Sequence, residues 1–206
     1  MIVIVDYKTG NIASVKNAID KIGFTSTVSS DPNVIGNATK LILPGVGSFG
    51  NGVKMIQSLG LWDVLNKKVI DDKTPILGIC LGAQIMTNSS EEDMMHKGFG
   101  WVNAETVRFN FNDKTSKMKV PNIGWLEVKQ CGDDKIYHGI NDIQSFYFSH
   151  SYHFSFNEDS SINGMANYGY NFPASFVKNN IIGIQFHPEK SHSFGLNLIK
   201  NFITKY

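Results

Sequence analysis

The chain has 206 residues, 19 Lys+Arg against 18 Asp+Glu, a formal net charge of +1 and 42% hydrophobic residues. That length suits one domain, which can bury roughly 70% of its unfolded surface. The absence of a basic block argues against nucleic acid as a partner, and no apolar run reaches the ~18 residues of a membrane span.

The start, Met1-Ile2-Val3-Ile4-Val5-Asp6, lacks a basic segment and is too short for a signal peptide, so a first strand and a cytoplasmic location are expected. Residues 12–22 carry Ala13, Val15, Ala18, Ile19 and Ile22 at helical spacing, with Gly23 as the expected stop. A short strand is predicted over 24–28, a turn or helix start at Asp31-Pro32, and a strand over 40–43 that runs into a glycine-rich loop. Helical segments over 52–59 and 62–70, a strand over 76–79 and a following helix complete the first half. Strand–helix alternation implies parallel strands with helices on both faces.

After about residue 98 the character changes. Short strand-like segments, at 101–109, 125–129, 146–149, 164–167, 175–178 and 181–186, are separated by Asn, Asp and Gly turns. They predict antiparallel hairpins added to or flanking the central sheet, with a closing amphipathic helix over 194–202. The expected fold is a single α/β domain over 1–206: a mainly parallel central sheet flanked by helices, with an antiparallel strand extension.

The most informative segment is Gly78-Ile79-Cys80-Leu81-Gly82, where a buried strand stops and a helix begins. This is the nucleophile-elbow pattern with sulfur in place of the serine oxygen. Its glycines let strand and helix approach closely, while the nucleophile sits on a strained turn. The Leu81 N–H, at the helix N-terminus, can face a developing oxyanion, and that end of a helix favours the thiolate. A cysteine at a strand end is usually a buried packing residue; the two glycines at fixed offsets set this one apart.

A base lies downstream. The apolar run 181–186 ends in His187-Pro188-Glu189, and Pro188 forces His187 into an extended conformation. In extended chain, residues two apart point the same way, so Glu189 is expected beside His187. The carboxylate would then hold an imidazole that takes the Cys80 proton. His150 and His153 are alternative bases on chemistry alone; His96, His138 and His192 are expected to be solvated. No cluster has metal-ligand spacing, Cys131 is expected to be inert, and no metal or cofactor is implied.

Gly-Ile-Cys-Leu-Gly-x-Gln with a distal Gln-Phe-His-Pro-Glu resembles the class I (triad) glutamine amidotransferases. The resemblance is closer still to the glutaminase subunits of imidazole glycerol phosphate synthases. It extends through Asp6-Tyr7-Lys8-Thr9-Gly10-Asn11, Leu43-Pro44-Gly45-Val46-Gly47, Val120-Pro121-Asn122-Ile123-Gly124-Trp125, Ser149-His150-Ser151-Tyr152 and His187-Pro188-Glu189-Lys190-Ser191, in order.

The resemblance implies a catalytic Cys80, His187 and Glu189, with the Val46–Gly47 peptide joining Leu81 in the oxyanion hole. Glycine on both sides of Val46 would let that loop flip, so that the hole forms only when the partner is ready. Gln84, one helical turn beyond Cys80, is expected to bond the amino-acid head of substrate L-glutamine; Ser151 and Tyr152 are further substrate contacts by carry-over. Asn11, Trp125 and Lys190 are the expected docking residues, with Trp125 equally suited to the core. The implied partner is a (β/α)₈ cyclase subunit, as a heterodimer, which would use the ammonia to make imidazole glycerol phosphate in histidine biosynthesis. It also implies slow glutamine hydrolysis until the cyclase site is occupied.

Three positions depart from the family pattern: Lys8 where glycine is usual, Asn122 where histidine is usual, and Leu126 where asparagine is usual. All three are expected near the partner face. They leave open a paralogous glutaminase that supplies ammonia for amidination of a surface-sugar precursor. A partner-independent cysteine hydrolase would need neither Gln84 nor Glu189.

Overall fold

In a computed structural model describing residues 1–92, 96–111, 118–132, 134–158 and 161–206, the first half alternates strand and helix. The elements are β1 (Ile2–Val5), α1 (Ile12–Lys21), β2 (Ser26–Ser29), α2 (Pro32–Gly36), β3 (Lys40–Gly45), α3 (Phe49–Ser58), α4 (Leu61–Asn66), β4 (Ile76–Cys80) and α5 (Leu81–Gln84). Local chemistry accounts for the boundaries. α1 buries Val15, Ala18 and Ile19 as one stripe, and Gly23, at φ +83°, follows its C-cap. At α2 the Asp31 carboxylate accepts the Asn33 N–H at 2.8 Å, with Pro32 in the first turn. α4 continues into a π-helical turn, Lys67–Asp71.

The second half contributes β5 (Ser89–Ser90), β6 (His96–Lys97), β7 (Ala104–Arg108), β8 (Asn122–Gln130), β9 (Ile143–His150), β10 (Tyr152–Phe156), β11 (Ile162–Asn167), β12 (Asn171–Lys178), β13 (Ile181–Ile184) and α6 (His192–Lys205). One nine-stranded sheet runs β2-β1-β3-β4-β13-β12-β11-β8-β9. Pairing is parallel from β2 to β13 and antiparallel from β13 to β9, so the expected parallel sheet carries its antiparallel extension and the whole is mixed. A second sheet, β10-β7-β5-β6, is separate from it; its β7 falls within the expected segment 101–109, whereas β5, β6 and β10 were not foreseen. Its strand β10 covers Tyr152, which the motif reading treated only as a substrate contact; antiparallel pairing with β7 makes the segment a strand.

Apolar residues alternate across the central strands and so fill two cores. Ile4, Ile42, Leu77 and Ile182 face α1 and α6, where Val15, Ile19, Leu198, Ile199 and Phe202 meet them. Val3, Val5, Leu41, Leu43 and Ile76 share the opposite core with residues of α3, α4 and α5.

The elbow helix is shorter than expected, a single turn. Beyond it the carbonyls are taken by other groups. Thr87 donates both its N–H and its hydroxyl to the Gln84 carbonyl, and the Phe99, Trp101 and Gly100 N–H groups take the carbonyls of Ile85, Met86 and Thr87. The loop at 98–102 thus replaces the next helical turn.

Both elbow glycines are there for close approach. A methyl group at Gly78 would come within 2.8 Å of the Ala83 nitrogen, and one at Gly82 would overlap the Leu43 carbonyl oxygen. By contrast a methyl at Gly36 meets only Val64, at 3.7 Å. Gly82→Ala should therefore lose about 3 kcal/mol or more, a fall in melting temperature of roughly 6–12 °C, because the backbone oxygen cannot yield. Gly36→Ala should melt within about 2 °C of the parent chain. Thermal denaturation of the two variants side by side checks both values.

Candidate active site

Three neighbouring parallel strands bring the site together at their carboxyl ends. Cys80 ends β4, with Gly45 of β3 directly opposite on one side. On the other side Ile79 pairs with Ile184 of β13, which carries Gln185 and His187 to the nucleophile. Residues more than a hundred positions apart in sequence therefore meet through strand register alone. Cys80 holds φ +53° and ψ −112°, a region costly for a residue with a side chain, as an elbow requires.

The imidazole of His187 is 1% exposed, and its Nδ1–H donates to Glu189 Oε1 at 2.8 Å. The Glu189 side chain is fully buried. Extended chain is not what aligns the pair. His187 is extended, but Pro188–Lys190 form a 3₁₀ turn, with the Lys190 N–H on the His187 carbonyl and the Ser191 N–H on that of Pro188. Proline suits the first position of such a turn, so the residue that fixes His187 also starts the bend that returns Glu189. Ser191 Oγ donates to the His187 carbonyl at 2.6 Å and accepts the Tyr147 N–H at 3.0 Å, while the His187 N–H donates to the Tyr147 carbonyl at 2.8 Å. Strand β9 thereby clamps His187.

His187 is held far above its ordinary value, up to about 10. Burial alone presses it down, but the facing Cys80 sulfur and the Glu189 carboxylate outweigh that effect. The arrangement places a proton-bearing imidazole against the sulfur, as a nucleophile and its proton carrier would require. The alternative bases are spent. His150 is buried and pressed down to about 3, chiefly by desolvation. Its Nδ1 faces the Tyr152 carbonyl at 2.8 Å, so that nitrogen carries the proton and Nε2 accepts from the Asn122 amide at 3.1 Å. His153, also lowered by burial, uses one nitrogen on the Phe154 carbonyl and the other on the Tyr170 hydroxyl.

A cleft of about 250 Å³ opens over Cys80, lined by Val46, Gly47, Leu81, Gln84, Ser151 and Tyr152 together with Glu92, Pro121, Ser149 and His150. All the oxyanion and substrate residues singled out from the sequence meet there. The Leu81 N–H opens α5, one of the donors a helix leaves unsatisfied. The Val46 N–H is already engaged, donating to the Thr9 carbonyl at 2.8 Å, and Gly47 follows at φ +113°. Gln84 spends both amide hydrogens inside the protein, on the Tyr152 carbonyl at 3.0 Å and on Gln185 Oε1 at 3.1 Å. A larger apolar hollow of about 420 Å³ beside Cys131 and His153 offers no base, since both nitrogens of His153 are bonded.

The docking candidates divide. Trp125 is 45% exposed and not in the core; its ring stacks on His192 at 5.0 Å, and Lys190 stands over Tyr147 at 5.5 Å. His192 is exposed, as expected, although stacked. Asn11 instead reaches inward: at φ +63° it precedes α1 and donates its side-chain N–H to Glu189 Oε1. Lys8 adopts φ +65°, open to the glycine usual there, and is held by its N–H at 3.0 Å and its ammonium at 2.7 Å on the Asp6 carboxylate. Asn122 does not lie on an outer face; it is 1% exposed and bonded to His150, while Leu126 packs against the α1–α6 core. Sequence reasoning gave no role to Gln185, Ser191 or Tyr147. Gln185 carried a signal, as a polar residue inside an otherwise apolar strand run.

The class-I glutamine amidotransferase family model matches residues 3–206. The chain is 48% identical over 203 residues to imidazole glycerol phosphate synthase subunit HisH 2 of Methanococcus maripaludis, covering 98% of each. It is 42% identical to the subunit of the same name from Pseudomonas aeruginosa, again over 98% of each. In fold it matches a solved glutamine amidotransferase with a TM-score of 0.75 over 98% of this chain and 97% of that one, at 18% identity. The structure of PurLQS from Thermotoga maritima gives a TM-score of 0.75 over 99% and 97%, at 15% identity. With a fold, a nucleophile elbow and relatives that agree along the whole chain, this protein belongs to the class-I glutamine amidotransferases and, within them, to the HisH subunits of imidazole glycerol phosphate synthase.

Proposed function

We propose that residues 1–206 act as one glutaminase unit that releases ammonia from L-glutamine for a cyclase partner making imidazole glycerol phosphate in histidine biosynthesis. The observation that carries this reading is the line from Cys80 through His187 to Glu189, buried beneath a cleft of about 250 Å³. Cys80 attacks the side-chain amide carbon. The oxyanion develops against the Leu81 N–H and the loop of Val46 and Gly47. His187 gives its proton to the departing ammonia, leaving a thioester. A water molecule, deprotonated by His187, then cleaves the thioester to glutamate, and the thiolate returns. Ammonia is largely protonated in neutral water and so a poor nucleophile, which favours direct transfer to a second active site.

The partner is a (β/α)₈ cyclase, joined as a heterodimer in the cytoplasm. Trp125, Lys190 and His192 form an exposed cluster beside the buried carboxylate of Glu189, and a groove between α1 and α6 continues it past Ser14, Asn17 and Lys21. Docking there reaches the triad through Asn11. The bond from the Val46 N–H to the Thr9 carbonyl supports slow turnover in the free subunit, since it pins the loop whose Val46–Gly47 peptide must turn its Gly47 N–H to the oxyanion. Removing one oxyanion donor costs about 10²–10³ in rate, and this sets the stimulation a partner can restore.

Three outcomes are expected. With the cyclase subunit from the same genome, imidazole glycerol phosphate should raise glutamate release about 10²–10³-fold, the range of one oxyanion donor; a rate indifferent to that ligand would move the search to a sugar-amidinating partner. Cys80→Ala should abolish glutamine-dependent synthesis while ammonia-dependent synthesis by the assembled complex continues, as measured by product formation from each nitrogen source. The pH profile of glutamate release should hold through neutrality and fall as pH nears about 10, where His187 loses the proton that the leaving ammonia needs. A decline already complete by pH 8 would contradict that assignment.

A further inference from the structure

Gln185 is fully buried between Ile184 and Phe186, at a position where an apolar side chain would continue the strand's pattern. Burying an amide is costly unless its groups are bonded. Its backbone N–H is held by the Ala174 carbonyl of β12 at 2.8 Å, so the residue is fixed in register opposite the nucleophile. Its side chain lies between Cys80 and Gln84: Nε2 stands 3.7 Å from Cys80 Sγ, and Oε1 stands 3.1 Å from Gln84 Nε2.

The order of atoms in this chain is dictated by chemistry. The Tyr152 carbonyl can only accept, so Gln84 must turn its NH₂ toward it, at 3.0 Å. The second hydrogen of that NH₂ then requires an acceptor, which fixes Gln185 Oε1 toward Gln84. Gln185 is left with its own NH₂ toward the sulfur. The Tyr152 carbonyl is further anchored by the Nδ1–H of His150, itself held by Asn122.

We propose that Gln185 is a further catalytic residue: an N–H donor that holds the Cys80 sulfur in its anionic form and, through Gln84, ties the nucleophile to the Tyr152 wall of the cleft. This rests on Cys80 being the nucleophile of the glutaminase reaction. A donor to sulfur favours the thiolate over the thiol. It acts twice in the cycle, when the thiolate is presented to the amide carbon and when the C–S bond of the tetrahedral intermediate breaks and the electron pair returns to sulfur. No proton is transferred to or from Gln185 in either step. His187 faces the same sulfur as proton carrier, so the two residues divide the work: one moves charge and the other fixes where it rests.

The test uses the intact subunit with Cys131→Ser, leaving Cys80 as the one thiol, and adds Gln185→Leu or Gln185→Met. Iodoacetamide alkylation of Cys80 is followed across pH 6–9, with thermal melting of each variant. The other titratable groups near the sulfur, His187, Tyr7 and the Glu189 behind His187, with Glu92 in the cleft, are the same in every chain. Loss of one charge-assisted hydrogen bond corresponds to about ten- to a hundredfold. Alkylation at pH 7 should slow by about that factor, and its profile should move to higher pH. In the complex with the cyclase and imidazole glycerol phosphate, kcat should fall by a similar factor with KM changed less than about threefold, since the substrate pocket is retained. Unchanged alkylation, or a rise in KM alone, overturns the proposal and reduces Gln185 to a prop for Gln84. Failure of both variants to fold assigns it to structure and overturns it equally. If Cys80 in the parent chain reacts no faster than exposed Cys131 in a Cys80→Ser chain, the nucleophile reading itself falls, a result distinct from any failure of Gln185.

Discussion

The constraint on which the rest depends is the parallel register of β3, β4 and β13. Pairing Ile79 with Ile184 puts Cys80 beside Gln185, and pairing Gly45 with Cys80 puts the loop of Val46 and Gly47 on the other flank. Strand spacing leaves no freedom in which residues meet, because a slip by one residue would turn every side chain to the wrong face. Cys80, Gln185, His187 and the glycine loop are thus positioned by hydrogen-bonded backbone at the ends of buried strands. The two cores on either face hold that register in place.

What surrounds these strand ends is a buried polar network inside an apolar shell. Asn122 and His150 lead to the Tyr152 carbonyl from one side, and Gln84 donates both to that carbonyl and to Gln185, whose NH₂ faces the sulfur. His187, Glu189 and Asn11 form a second chain, with both His187 and Asn11 donating to the Glu189 carboxylate. Networks of this kind are stable only when their members are satisfied, and they fix a single arrangement when they are. The neutral His150 illustrates the division: its ring serves as a fixed link, whereas the ring of His187, facing a sulfur and a carboxylate, keeps its charge.

Much of the fold and site was legible in the chain. Helical spacing located α1, and the Asp31-Pro32 pair marked the start of α2. The elbow stood out because two glycines at fixed offsets have few other uses, and His-Pro-Glu because proline restricts its neighbour. The remainder was settled by tertiary pairing, which local pattern does not encode. The 3₁₀ turn that returns Glu189, the one-turn length of α5 and the second sheet each arise from partners far away in sequence, such as Ser191 with Tyr147 or the 98–102 loop with residues 85–87. Asn122 and Asn11 were misplaced for the same reason. Motif position suggested a surface role, whereas the direction of the side chain depends on how β8 and the turn before α1 are seated.

The turn between β1 and α1 touches both halves of the site. Thr9 holds the Val46 N–H through its carbonyl, and Asn11 holds the Glu189 carboxylate, two residues apart on a stretch where Lys8, Gly10 and Asn11 all have left-handed φ. Such a stretch has few alternative shapes, so a displacement at one end is carried to the other. A substitution there that suits the glycine loop must also suit the carboxylate. The two flanks of the site are therefore tied to the same four residues, Lys8 to Asn11.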